Sequence, residues 1–135
     1  MKELPKSTKV VVIGGGVAGT SWAYHLAKFG WKDVVLLERD LLTSGTTWHA
    51  AGLLGQLGAS STITKIRKYS LDLYKDLEKT TGLSTGMKQN GAITLASTKE
   101  RMQELLRQAT TAQLSEVEVE VLNKKRLMEL YPVLH

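Results

Sequence analysis

The chain has 135 residues, a formal net charge of +5 and 42% hydrophobic residues, enough for one domain with a modest core. It has no cysteine, which excludes a disulfide scaffold, suits a reducing compartment and leaves no thiolate for a metal or a nucleophile. No apolar run approaches the roughly 20 residues of a membrane-spanning helix.

The tail Met1 to Lys9 is short and carries no arginine, so it does not read as a transit peptide. Val10 to Ile13 is an unbroken β-branched run, the pattern of a parallel strand buried on both faces. Gly14, Gly16 and Gly19 then supply a G-x-G-x-x-G turn. The first glycine permits the tight turn, the second lets backbone approach a pyrophosphate, and the third lets a helix pack closely on the sheet. The helix begins near Val17, with its N–H groups and positive dipole end toward the phosphates. Ala18, Trp22, Leu26 and Phe29 recur at helical spacing as an apolar stripe, and Gly30 is a natural stop. Val34 to Leu37 predicts a second strand, ending in Glu38. An acidic residue about 20 positions beyond the glycines accepts hydrogen bonds from ribose hydroxyls and repels a 2′-phosphate. Strand, helix, strand and glutamate in this order give a Rossmann-like α/β unit that binds a dinucleotide; they do not choose FAD over NAD.

Leu41 to Gly58 has no charged residue and is rich in Gly, Ser and Thr. Such a segment suits a buried loop running along a ligand, with Ser44, Thr46 and Thr47 as caps for a short helix through Trp48 to Leu54. Taken alone, His49 is either a satisfied buried histidine beside Trp48 or a functional imidazole. Thr64 to Thr80 predicts a helix with Ile66, Tyr69, Leu73 and Leu77 on one face, ended by Gly82. Ala92 to Ala96 predicts a short strand. Ser97 and Glu100 form a capping-box signal for a helix from Lys99 to about Ala112. Val117, Val119 and Val121 alternate with glutamates as in a half-exposed strand, and Asn123 caps a last helix, Lys124 to Leu130, stopped by Pro132. No internal repeat or low-complexity linker interrupts this order.

Other candidates are weak. His25 lies in the first helix without a paired ligand motif and reads as a packing or surface residue. Lys65-Arg67-Lys68 and Lys124-Lys125-Arg126 lack interleaved aromatics and read as solvated helix faces rather than a nucleic-acid surface, with docking to an acidic electron acceptor as the alternative. His135 is terminal and is assigned no role.

The fingerprint, Glu38-Arg39 and above all Ser44-Gly45-Thr46-Thr47-Trp48-His49-Ala50-Ala51-Gly52-Leu53 resemble the sarcosine and dimethylglycine dehydrogenase family. The likeness continues through Tyr69-Ser70-Leu71, Glu78 to Gly82, Gln89-Asn90-Gly91 and Leu130-Tyr131-Pro132, and so covers nearly the whole chain. The resemblance implies an FAD-dependent amine oxidoreductase of the glycine oxidase-like fold. It makes His49 the covalent flavin ligand, and Val17, Ala18, Glu38, Arg39, Gly45, Thr46, Thr47, Trp48, Ala50, Ala51, Gly52 and Leu53 the flavin contacts. It further implies hydride transfer from an N-methyl amine to flavin, tetrahydrofolate as acceptor of the one-carbon unit, an electron-transferring flavoprotein, and the mitochondrial matrix; a cytoplasmic protein would have the same sequence features. A related regulatory subunit of pyruvate dehydrogenase phosphatase shares the architecture without this histidine, so His49 points to the catalytic branch, a non-catalytic regulatory protein being the alternative. On this reading residues 10–135 are the N-terminal part of the oxidoreductase domain: the nucleotide-binding βαβ unit and the start of a mixed α+β substrate domain.

Overall fold

The structure, a computed structural model, describes residues 5–134; His135 and the first four residues of the tail lie outside them. The chain divides into two compact units, residues 1–53 and 54–135.

The first unit is the expected βαβ. Strand β1 (Val10–Ile13) is followed by helix α1 (Val17–Lys28) and strand β2 (Val34–Leu37), and the strands pair in parallel with Val10 opposite Val34 and Ile13 opposite Leu37. Parallel neighbours need a crossover, and α1 supplies it by packing on both strands. The lower end of the sheet is pinned by Asp33, whose carboxylate accepts the Thr8 hydroxyl at 2.8 Å and the Lys9 N–H at 3.1 Å. At the upper end the Gly14 N–H continues the ladder to the Leu37 carbonyl at 2.8 Å. Gly14 then turns the chain with φ +101°, a conformation that any side chain would strain. Gly19 is required for a different reason: a Cβ there would fall on the Gly14 carbonyl oxygen.

That close approach corrects the expected stripe on α1. The half-buried positions are Gly19, Thr20, Ala23, His25 and Leu26, whereas Ala18 is exposed and Trp22 and Phe29 are 66% and 75% exposed. The glycine at the crossing lets α1 lie close on the sheet there, and the large aromatics are turned outward. The helix ends as expected at Gly30, with φ +86°, its N–H on the Ala27 carbonyl and the Trp31 N–H on the Leu26 carbonyl, a Schellman closure. Strand β1 is not buried on both faces, whereas β2 is half-buried along Val34, Val35 and Leu36. Val10 and Val12 are half-buried, but Val11 and Ile13 are exposed, because α1 covers one side of the sheet only.

The second unit is helical. Helix α2 (Ser61–Thr81) starts three residues earlier than its hydrophobic pattern suggests, because Ser60 caps it by accepting the Ile63 N–H. Gly82 closes it with φ +68°. Its buried side runs through Thr64, Lys68 and Leu71; of the expected face, Leu73 and Leu77 are half-buried, and Ile66 and Tyr69 are exposed. Polar anchoring sets this rotation. The Thr64 hydroxyl, 2% exposed, accepts the Gly58 N–H and donates to the Ser60 carbonyl, both at 3.0 Å. The Lys68 ammonium donates to the Ser115 carbonyl at 2.9 Å and the Glu116 carbonyl at 3.3 Å, beyond the end of helix α3 (Lys99–Leu114). Ala112 and Val117 complete the buried apolar set with Leu71.

The cap of α3 is Thr98, which accepts the Arg101 N–H at 3.1 Å, and not Ser97. Helix α4 (Lys124–Leu130) has the expected bounds and the expected cap, Asn123 accepting the Arg126 N–H at 2.9 Å. Residues 92–96 and 117–121 form no strand. β1 and β2 make the sheet found among the described residues, and neither alternating stretch has a partner ladder.

Candidate nucleotide site

The site lies within the first unit, where the glycine turn meets the loop that follows β2. Glu38 is the hinge. One carboxylate oxygen accepts the Gly15 N–H at 2.6 Å, and the other accepts the N–H groups of Arg39 at 2.8 Å and Asp40 at 3.1 Å. These bonds, the one from Gly15 foremost, hold the Glu38 carboxyl below its usual range, so it stays an anion. A carboxylate has about four acceptor positions. Three are engaged here, leaving room for a hydroxyl donor beside the glycine turn.

The loop then returns to α1 at two points. The Thr43 N–H donates to the Gly15 carbonyl at 3.0 Å, and the Thr47 hydroxyl accepts the Val17 N–H at 2.9 Å. Val17 is the first residue of α1, so its N–H has no partner within the helix. Thr47 belongs to a 3-10 turn, Thr46–His49, that starts from Gly45. The turn is shorter than the helix expected through Leu54, and its hydroxyl caps another element, not its own start. Ser44 caps nothing either: its hydroxyl donates back to the Leu41 carbonyl at 2.8 Å.

His49 ends this turn. Its Nδ1 lies 3.1 Å from the Gly45 carbonyl oxygen, and its ring packs on Trp48 with centroids 4.1 Å apart. A carbonyl only accepts, so Nδ1 carries the proton in this bond, and in the neutral imidazole the lone pair then lies on Nε2. The imidazole is exposed, as is Trp48, which rules out the buried packing histidine considered from sequence. Leu41, Leu42 and Leu53 are exposed too, against the expectation of a buried loop. Two strands and one helix leave this end of the sheet open.

The expected residues therefore fall into two groups. Gly14, Gly16, Val17, Ala18, Gly19, Glu38, Gly45, Thr46, Thr47, Trp48 and His49 surround one turn-and-loop junction, with the Arg39 N–H on Glu38. Ala50, Ala51, Gly52 and Leu53 continue as exposed irregular chain, with Gly52 at φ +70°, and the bonds described tie none of them to the glycine turn. Two participants escaped the sequence reading. Gly15 both donates to Glu38 and accepts from Thr43, and a Cβ on it would meet Leu42 at 2.6 Å. A fourth glycine inside a motif that needs three was its signal. Thr43 sits at φ +64°, which a β-branched residue rarely adopts, and nothing in its sequence context marks it.

These residues fit a flavin dinucleotide. Glu38 and Thr47 take the Gly15 and Val17 N–H groups, the first-turn N–H groups of Ala18 and Gly19 are left for an anion, Glu38 offers an anionic acceptor for ribose, and an exposed imidazole stands on the adjoining turn. His25 takes no part: its Nδ1 lies 2.7 Å from the Ser21 carbonyl oxygen, and its ring lies against Tyr24.

Residues 9–135 match the family model described as FAD dependent oxidoreductase. The chain is 44% identical over 127 residues to a mitochondrial dimethylglycine dehydrogenase of Rattus norvegicus and 43% identical over 135 residues to a mitochondrial sarcosine dehydrogenase of Homo sapiens. It is 42% identical over 132 residues to a mitochondrial pyruvate dehydrogenase phosphatase regulatory subunit of Mus musculus. These matches cover 94%, 99% and 98% of this chain, which spans about 15% of the length of each relative.

Proposed function

We propose that this chain, which belongs to the FAD-dependent oxidoreductase family, forms the nucleotide-binding part of an amine dehydrogenase of the sarcosine and dimethylglycine type whose flavin is bonded to His49. The observation that carries this reading is the folding of one loop onto the glycine turn, which sets Glu38 and the His49 turn on the same end of α1. In this proposal the N–H groups of Gly16, Ala18 and Gly19 hold the diphosphate, those of Gly15 and Val17 being engaged by Glu38 and Thr47; Glu38 takes the ribose hydroxyls, and residues Gly45 to Leu53 line the remainder. FAD, when bound, supplies the redox chemistry, accepting an electron pair from an N-methyl C–H of a sarcosine- or dimethylglycine-type amine. His49 keeps its proton at Nδ1, on Gly45, and offers Nε2 as the bonding nitrogen.

Residues 10–135 are then the N-terminal part of the oxidoreductase domain. The family resemblance supports an electron-transferring flavoprotein and tetrahydrofolate as partners, and the names of the relatives support the mitochondrial matrix. No helix among the described residues is long and apolar enough to cross a membrane. A regulatory reading is kept alive by the phosphatase subunit among the relatives. One experiment separates the two: load the protein with FAD, precipitate it with acid, wash it, and read flavin fluorescence in the pellet. Acid-stable flavin that His49→Ala removes is the expected result. Flavin that washes out fully from the unaltered protein refutes the covalent bond, and failure to take up FAD at all refutes the enzyme reading.

A further inference from the structure

We infer that Thr47 is a positioning residue that fixes the imidazole of His49 relative to the glycine turn. The inference rests on the reading above only in assigning His49 a task; its physical content is independent of any cofactor.

The turn that carries His49 is bonded in both directions from Thr47. The Thr47 carbonyl accepts the Ala50 N–H at 3.2 Å, and the Gly45 carbonyl holds His49 Nδ1 at 3.1 Å. Where this small unit sits is then decided by its ties to the rest of the fold. The Thr47 hydroxyl makes one, to the Val17 N–H at 2.9 Å, and the Thr43 N–H makes the other, to the Gly15 carbonyl at 3.0 Å. Both end on residues of the glycine turn or the first position of α1.

Two further features show a built arrangement. A Cβ on Gly16 would lie 2.9 Å from the Thr47 hydroxyl, so the hydroxyl occupies space that the second glycine of the fingerprint leaves open. Thr43 meanwhile holds a left-handed conformation, φ +64°, while delivering its N–H to Gly15. A β-branched residue in that region costs energy and persists where surrounding bonds over-determine it. Thr47 is half-buried while its neighbours Thr46, Trp48 and His49 are exposed. Its side chain is thus the inward anchor of an outward turn. With the anchor intact His49 has one hydrogen-bonded orientation and one proton position; without it the turn is free to rotate and the imidazole exchanges between tautomers.

Imidazole nitrogen NMR of the ¹⁵N-histidine-labelled chain tests this at about pH 8.5, above the ordinary imidazole range. The chain has three histidines, so His49→Asn assigns the signal. The expected result is one protonated Nδ1 and one unprotonated Nε2 for His49, collapsing to averaged shifts in Thr47→Val and Thr47→Ala and returning in Thr47→Ser. A mere loss of stability would not be repaired in this tautomer signature by the smaller hydroxyl. Hydrogen exchange on the unaltered chain gives a check that needs no variant: the Val17 amide exchanges as slowly as amides in the middle of α1, although a first-turn N–H ordinarily exchanges freely. The inference falls if both hydroxyl-free variants keep the original pair of shifts, if His49 is already averaged in the unaltered chain, or if Val17 exchanges freely. Uptake of FAD is scored separately, and its failure bears on the proposed function alone.

Discussion

Residues 10–37 and residues 92–121 both carry strand patterns, yet only the first stretch forms a ladder. Val10–Ile13 and Val34–Leu37 are joined by a helix that brings them side by side in parallel, and the Gly14 N–H extends their pairing to Leu37. Ala92–Ala96 and Val117–Val121 are joined by α3 as well, and they do not pair. The difference lies in what tethers each segment. The first unit has polar bonds across 23 to 30 positions of sequence, from Glu38 to Gly15 and from Thr47 to Val17. In the second unit the long-range polar tie is Lys68 on the end of α3, which orients a helix and offers nothing to a strand edge. Alternation states which face a strand would bury; a partner at the right separation decides whether the strand exists.

The comparison can be broken most severely at Gly19. Gly19→Ala places a methyl on the Gly14 carbonyl, a backbone atom that cannot swing aside, and the cost is roughly 3 kcal/mol. A lowered Tm together with lost FAD binding is expected; an unchanged melt would mean that α1 does not cross the sheet so closely. Glu38→Gln tests the hinge next. The amide keeps the shape but loses the anion that three N–H groups address. Loss of a charge-assisted bond of about 1.5–3 kcal/mol corresponds to roughly ten-fold or more weaker FAD, read by titration of flavin fluorescence.

In the second unit, Lys68→Met removes the amine that holds the Ser115 and Glu116 carbonyls while keeping its stem against the helix. The side chain is partly open to water, so a loss of about 1 kcal/mol in denaturant melts is expected, with FAD affinity unchanged. The smallest effect concerns acid. The Arg107 side chain, with help from Gln108, lowers Glu104 on α3 from an ordinary 4.5 to about 2. A depressed carboxylate contributes stability above its unfolded value, and that contribution fades as pH falls from about 4.5 through about 2. Far-UV circular dichroism of wild type should show a small helical loss across this window, absent in Glu104→Gln.

Much of the first unit was legible because each level of the sequence agreed: a β-branched run, a glycine motif, a helix with a glycine stop, and a second run ending in an acid. The bounds of β1, β2 and α4 and the caps at Gly30, Gly82 and Asn123 follow from such local signals. The faces of α1 and α2 did not. Hydrophobic spacing favours Trp22 and Phe29, but the close crossing at Gly19 leaves them outside; it favours Ile66 and Tyr69, but Thr64 and Lys68 find polar partners on the other face. At the site, Glu38 and His49 stood out by type and spacing, whereas Gly15 and Thr43 act through backbone groups that every residue possesses.

The order of residues by itself determined the βαβ unit, its nucleotide turn and the family to which the chain belongs, because these depend on local conformation and on spacing along one strand or helix. Tertiary structure alone decided that the loop after β2 folds back on that turn, that Thr47 caps α1, and that His49 stands exposed with Nδ1 engaged. Those outcomes rest on hydrogen bonds between distant backbone and side-chain groups, whose partners are chosen by the three-dimensional path of the chain and leave no periodic trace in it.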